Sequence, residues 1–296
     1  MSQQPPALRI DSHHHLWDPT TRDYPWMTGL DTIFRPFGVA DLRPLLDANG
    51  IDGTVLVQTV SDLDETRDFL ATAAAAPFIA GVVGWADLAK LDVAADLDAL
   101  QAGAGGDRLV GIRHQVHDED DADWLLREEV QRGLEVLADR NLVYDLLVRP
   151  RELPAAITVA RDFPHLRFVV DHLAKPPIAT GELEPWASLM REFAGLENVA
   201  CKLSGMVTEA DPDTWQPADL LPYVRTVVEI FGPDRLMWGS DWPVCLLAAD
   251  YARVLDATGE VLGELGVLSD AADRAIFGDT AIRWYNLDTT RLTPGE

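Results

Sequence analysis

Short apolar runs rich in branched residues alternate with longer amphipathic stretches along this chain, and no other feature restricts its fold as tightly. The runs are ALRIDSH (7–13), GTVLVQT (53–59), FIAGVVGW (78–85), LVGIRH (109–114), LVYDLLV (142–148), LRFVVDH (166–172), NVACKLS (198–204) and RLMWGSD (235–241). Their length and composition predict strands. Between them VADLRPLLDANG (39–50), DETRDFLATAAAA (64–76), DVAADLDALQAG (92–103), EEVQRGLEVLADR (128–140), RELPAAITVARDF (151–163), WASLMREFAG (186–195) and ADLLPYVRTVVEIFG (218–232) read as helices.

Strands that are apolar along nearly their full length are buried on both faces, the condition of parallel strands wrapped by helices. An open doubly wound sheet normally carries a glycine-rich phosphate turn after its first strand, and none follows ALRIDSH. The expectation is therefore one α/β domain over 1–296, a single (β/α)8 TIM barrel, a fold that takes about 250 residues plus insertions. Residues 1–7 are expected to form a flexible tail. Residues 16–38, with Trp17, Tyr24, Trp26, Phe34 and Phe37, are expected to form a long loop over the barrel mouth.

No apolar run reaches the roughly 18 residues of a membrane span, and MSQQPPA is too short and polar for a secretory leader, so a cytoplasmic protein is expected. Cys201 and Cys245 stand in apolar surroundings and read as buried thiols rather than a disulfide framework. A net charge of −25 with no basic stripe argues against nucleic acid and anionic membranes as partners. The acidic segment HDEDDAD (117–123) lacks the glycine and distal glutamate of a calcium loop, and it reads as solvated, His117 included.

Three of the seven histidines stand together in IDSHHHLWDP (10–19). Strict strand alternation puts Asp11, His13 and His15 on one face and Ser12 and His14 on the other. The informative unit is then H-x-H, two imidazoles sharing a small volume where they suit metal ligation or proton transfer. Barrel chemistry sits at the C-terminal strand ends. That rule gathers His13 and His15, Trp85, Arg113 and His114, Asp171 and His172, Lys202 and Ser204, and Asp241 on one rim, where buried charge is costly unless paired. Asp171 and Lys202 also permit a structural reading, as a hydrogen-bond anchor and an ion-pair partner. His165, after DFP, reads as a turn residue.

IDSHHHLWD and WGSDWP (238–243), with VGIRH, VYDLLVRP, FVVDHLAKP and NVACKLSGM between them, resemble the amidohydrolase superfamily and within it the sugar-lactonase-type, L-fuconolactonase-like branch. The resemblance runs from about Arg9 to AIFGDTAIRWYNL (275–287). It implies a hydrolase that opens a sugar lactone or a related carboxylated lactone. Asp241 is then the acid/base that activates water, His172 lies beside the reacting carbonyl, and Arg113, His114, Trp85 and Lys202 bind the substrate. His13, His15, His172 and Asp241 are implied as the set for at most one divalent metal, zinc by preference, with a metal-free site as the alternative. Two-metal relatives carry a carboxylated lysine at the end of strand 4 and a histidine at the end of strand 5. Here Arg113 and His114 occupy the first place, and YDLLVRP offers no histidine at the second. A lactone, more electrophilic than an amide and with a better leaving group, suits that reduced equipment. Two other readings stay open, a metal-dependent decarboxylase of the same superfamily and a non-catalytic binding barrel. The implied partner is a small polar lactone, and a homo-oligomer is left open.

Overall fold

The computed structural model describes residues 7–292, so all but the last residue of the tail expected over 1–7 lies outside the described residues. Each apolar run supplies one strand: β1 (Ile10–His14), β2 (Gly53–Val57), β3 (Ile79–Gly84), β4 (Leu109–His114), β5 (Val143–Leu146), β6 (Phe168–Val170), β7 (Val199–Leu203) and β8 (Leu236–Trp238). All pairings are parallel and the order is β1 to β8 in sequence, the expected (β/α)8 barrel. Helices α1 (Val39–Asn49), α2 (Leu63–Ala75), α3 (Val93–Ala102), α4 (Glu128–Asp139), α5 (Leu153–Asp162) and α6 (Trp186–Arg191) follow the first six strands. The short α7 (Met206–Glu209) precedes α8 (Pro217–Phe231), and α9 (Tyr251–Glu264) completes the eighth unit ahead of α10 (Asp270–Arg274) and α11 (Thr280–Trp284). Both cysteines are buried and free.

The seam between β8 and β1 is closed by the two histidine- and aspartate-bearing segments. The Asp241 N–H donates to the His13 carbonyl at 2.8 Å, and the His15 N–H to the Trp242 carbonyl at 2.7 Å. Ser12 Oγ donates to the Trp238 carbonyl at 2.6 Å. A Cβ on Gly239 would stand 2.6 Å from the Cβ of His13, so only glycine permits this approach.

β1 carries a bulge that strict alternation does not foresee. Asp11 pairs with Thr54 but His14 pairs with Leu56, so β1 uses three steps where β2 uses two. Parity beyond the bulge is reversed. His13 therefore shares the interior side with Ile10, whereas Asp11 turns to Ser240 Oγ at 2.6 Å and to Tyr251 of α9 at 2.9 Å. Asp11 does not share a face with His13 and His15 as expected. His14 faces Thr54 Oγ1 at 2.9 Å.

Alternation along the other strands stacks the interior in layers. Val55, Val143, Val169, Ala200 and Met237 form an apolar floor, packed against Trp284, Tyr285, Leu287 and Leu292 of the C-terminal segment. Two residues beyond Gly111, Val143, Val169 and Ala200 stand Arg113, Asp145, Asp171 and Lys202. Lys202 Nζ lies 2.5 Å from Asp145 and 2.9 Å from Asp171, and Arg113 Nη1 lies 2.9 Å from Asp171. The Tyr285 hydroxyl donates to Asp145 at 2.8 Å. Two cations and two carboxylates thus balance in a dry layer, where an unpaired charge would be prohibitive.

Lys202 is a correction to the expected substrate contacts. It is fully buried beneath His13, with its ammonium protons directed at Asp145, Asp171 and His13 Nδ1, the last at 3.1 Å. The structural reading of Asp171 and Lys202 is the one realised.

Candidate active site

Above the ionic layer the chain departs from ordinary backbone geometry at two places. After β6, His172, Leu173, Ala174 and Lys175 all adopt left-handed φ angles of 52°, 54°, 58° and 49°. Asp241, just after β8, has φ of 55°. Such residues cost of order 1–3 kcal/mol each and persist only where surrounding structure over-determines them. Here the Leu173 carbonyl accepts from the Trp186 indole at 2.7 Å, and Lys175 Nζ pairs with Glu209 at 2.7 Å. Gly205 lies so close that a Cβ would stand 2.5 Å from His172 Nδ1, which leaves the imidazole seated against a bare backbone. The strain marks the two segments that aim His172 and Asp241 at one point.

The convergence is tight. Asp241 Oδ1 lies 3.4 Å from His15 Nε2, 3.8 Å from His13 Nε2 and 3.9 Å from His172 Nε2. His13 Nε2 and His15 Nε2 are 3.2 Å apart. The far nitrogens are held in place: His15 Nδ1 donates to the Val57 carbonyl at 2.7 Å, and His172 Nδ1 shares a proton with Ser204 Oγ at 2.8 Å.

Electrostatics fix the protonation states. Burial drives all three histidines below their ordinary value, His172 to about 4, and the Lys202 charge adds to the fall at His13. Burial alone would raise Asp241, but the His172 and His15 rings and the His15 hydrogen bond overcome it and hold the carboxyl below its ordinary value. Burial thus disfavours the charged form of each imidazole, while the surrounding groups favour the carboxylate form of Asp241. Asp171, despite burial, is held well below the usual range by Lys202, His13 and Arg113. Burial lifts Asp145 to about 6, with the Asp171 carboxylate adding to the rise and Lys202 and the Tyr285 hydroxyl opposing it.

These side chains form the base of a cavity of about 510 Å³. His15, Arg113, His172 and Asp241 line it as expected, and Trp26 and Leu30 of the 16–38 loop form part of its wall. His13 is sealed just below.

His114 and Trp85 stand to one side of the Asp241 centre. Arg113 points inward, so His114, the next residue on the strand, points out. Its Nδ1 accepts from the Trp85 indole at 3.0 Å, its Nε2 meets Glu119 at 2.8 Å, and its ring stacks on Trp124 with centroids 4.2 Å apart. It borders a cavity that adjoins the one holding Asp241, the two sharing Trp26, Gln115 and Asp118.

Several residues in the cavity wall were not anticipated. His117, expected in solvent, has only 11% of its side chain exposed; burial holds it near 3, and its N–H bonds to the Leu147 carbonyl at 3.2 Å, a contact no local pattern reveals. Arg149 and Lys175 also line the wall. Each is the first cation after its strand and directly precedes proline, a signal readable in VRP and AKP.

The donor set can hold one divalent cation. His13, His172 and Asp241 each turn a ligand atom within 4.8 Å of the others. Asp241 Oδ1 stands 3.4–3.9 Å from the three imidazoles, close to the edge of a tetrahedron with bonds of about 2.0–2.2 Å, roughly 3.3–3.6 Å, and the set whose ligand atoms are all mutually near is His13, His172 and Asp241. The outer nitrogens of His15 and His172 have oxygen partners of the kind that supports ligating imidazoles, whereas His13 Nδ1 faces the Lys202 ammonium at 3.1 Å. Arg113 Nη1 reaches His13 Nε2 at 3.3 Å and competes for that nitrogen.

Known proteins bear on this geometry. An L-fucono-1,5-lactonase of Burkholderia ambifaria is 43% identical over 95% of this chain and 97% of that protein. An L-fucono-1,5-lactonase of Burkholderia multivorans is 40% identical over 95% of this chain and 97% of its own length. The crystal structure of an amidohydrolase from Burkholderia multivorans with bound zinc superposes with a TM-score of 0.88 at 38% identity, covering 95% of this chain and all of that one. With the amidohydrolase family profile matching residues 10–287, nearly the whole barrel, the chain belongs to the amidohydrolase family.

Proposed function

We propose that the protein hydrolyses the ester bond of an aldonolactone, with L-fucono-1,5-lactone as the leading substrate. The observation that carries this reading is the Asp241 carboxyl group within 3.9 Å of three imidazoles at the base of a cavity, in a chain 43% identical to an L-fucono-1,5-lactonase. Asp241 accepts the proton of a water molecule as that water attacks the lactone carbonyl. His172, held by Ser204, and Arg113 flank the centre and face the charge that develops on the carbonyl oxygen. Asp241 then returns the proton to the ring oxygen as the bond to the carbonyl carbon breaks. The product is a hydroxy acid whose new carboxyl group then loses its proton to solvent, leaving the aldonate. His13, His15, His172 and Asp241 are the residues to hold a single zinc ion, which when bound supplies Lewis-acid polarisation.

Acid release from a panel of aldonolactones, read with a pH indicator beside an assay for carbon dioxide, tests the reaction class. Proton release without carbon dioxide is expected, and decarboxylation or complete inertness contradicts the proposal. Retained rate in a chelator assigns the proton transfers to Asp241 without an ion, and loss reversed by zinc gives the ion a part. The pH profile follows from the charge states. A base is inactivated as pH falls through its pKa, and Asp241 and His172 both titrate far below neutrality. The expected kcat/KM is flat between about pH 5 and 8 and drops only in stronger acid. An acid limb near the free histidine value, about 6.5, would contradict these assignments.

A further inference from the structure

The cavity wall has two unlike sides, and the barrel order sets them opposite each other. Val244 and Leu247 follow β8, Leu30 follows β1, and those loops are neighbours because β1 and β8 meet at the seam. Across the barrel, the segments after β4 and β5 supply Gln115, His117 and Arg149. We propose that Val244 and Leu247, with Leu30, form a socket for an alkyl group on the carbon that bears the leaving oxygen, and so select 6-deoxy lactones over their hydroxymethyl counterparts. The inference rests on the lactonase reading and adds the residues that recognise the substituent.

Asp241 protonates the ring oxygen, and the substituent on the adjoining carbon is two bonds from that atom, so it lies beside Asp241. What stands beside Asp241 is the 3-10 turn Val244–Leu247, tied to it by the Cys245 N–H, which donates to the Asp241 carbonyl at 2.9 Å. The ring hydroxyls of the same ligand are directed toward the polar side. A methyl group in the socket displaces water from apolar surface. A hydroxymethyl group places a hydroxyl against the aliphatic side chains of Val244 and Leu247, while the polar groups next to them are already engaged, Lys175 with Glu209 at 2.7 Å and the Thr208 hydroxyl with the Gly205 carbonyl at 2.9 Å.

Three 1,5-lactones of one ring configuration test the socket: L-fucono-lactone with methyl at C5, L-galactono-lactone with hydroxymethyl, and D-arabinono-lactone with hydrogen. The parent is expected to prefer methyl over hydroxymethyl in kcat/KM by about 10- to 100-fold, and methyl over hydrogen by about 10-fold. Val244→Thr, nearly isosteric, and Leu247→Asn are each expected to shrink the methyl to hydroxymethyl ratio by about 10-fold. Because the readout is a ratio within each variant, a partial folding defect cancels. Equal turnover of the three lactones by the parent, or a ratio unmoved in both variants, overturns the socket and leaves lactone hydrolysis standing. Inertness of the parent toward all three overturns both.

Discussion

Asp241→Asn is expected to lower kcat/KM on the lactone substrate by about 10²- to 10⁴-fold, the usual contribution of a positioned general base. The substitution keeps the shape of the side chain and removes its capacity to take a proton. Folding should survive, because the barrel seam is closed by the main chain of this residue, whose N–H donates to the His13 carbonyl. Asparagine also tolerates a φ of 55° better than most residues, so the strained backbone is not penalised further. Initial rates by pH indicator, with a urea midpoint measured in parallel, separate loss of chemistry from loss of structure. A folded variant retaining more than about a tenth of the parent rate would demote Asp241 to a positioning role and direct attention to His172.

Lys202→Met is expected to have the largest effect on stability. The ammonium is fully buried and bridges Asp145 and Asp171 at 2.5 and 2.9 Å, and removing one partner of a buried pair typically costs about 3–5 kcal/mol. The loss falls chiefly on Asp145. Asp171 keeps Arg113 at 2.9 Å, whereas Asp145 keeps only the Tyr285 hydroxyl. Adding Asp145→Asn to Lys202→Met removes the stranded charge while preserving an acceptor for Tyr285, and it should recover a large part of the loss. Denaturant midpoints of the parent, single and double variants check both statements. A single variant within about 1 kcal/mol of the parent would mean that the layer is hydrated or that Asp145 is already neutral.

The barrel was legible in the sequence because its cause is local and repeated: each strand is short, apolar and bounded, and eight such runs admit few arrangements. The rim was legible for the same reason, since His15, Arg113, His172 and Asp241 end strands whose C-terminal ends share one mouth. What escaped depends on departures from regularity. Asp11 was placed on the wrong face because one extra residue in β1 reverses parity, and a bulge has no reliable signature in IDSHHH. Lys202 and Asp145 sit one layer too deep to meet a ligand, and depth along a strand is set by the stagger of the barrel rather than by hydropathy. His114 differs from Arg113 only in parity, and alternation along LVGIRH turns the two to opposite sides of the strand. His117 is buried through a contact with Leu147 that forms only when two successive βα loops pack together.

The central claim is that Asp241 directs water to a lactone carbonyl, and hydrolysis in ¹⁸O-labelled water tests it most directly. With L-fucono-1,5-lactone, the parent is expected to accelerate opening with kcat/KM of at least about 10⁴ M⁻¹s⁻¹ and to place one labelled oxygen in the product carboxylate. No acceleration over the spontaneous reaction, or label appearing at the C5 hydroxyl instead, would contradict it.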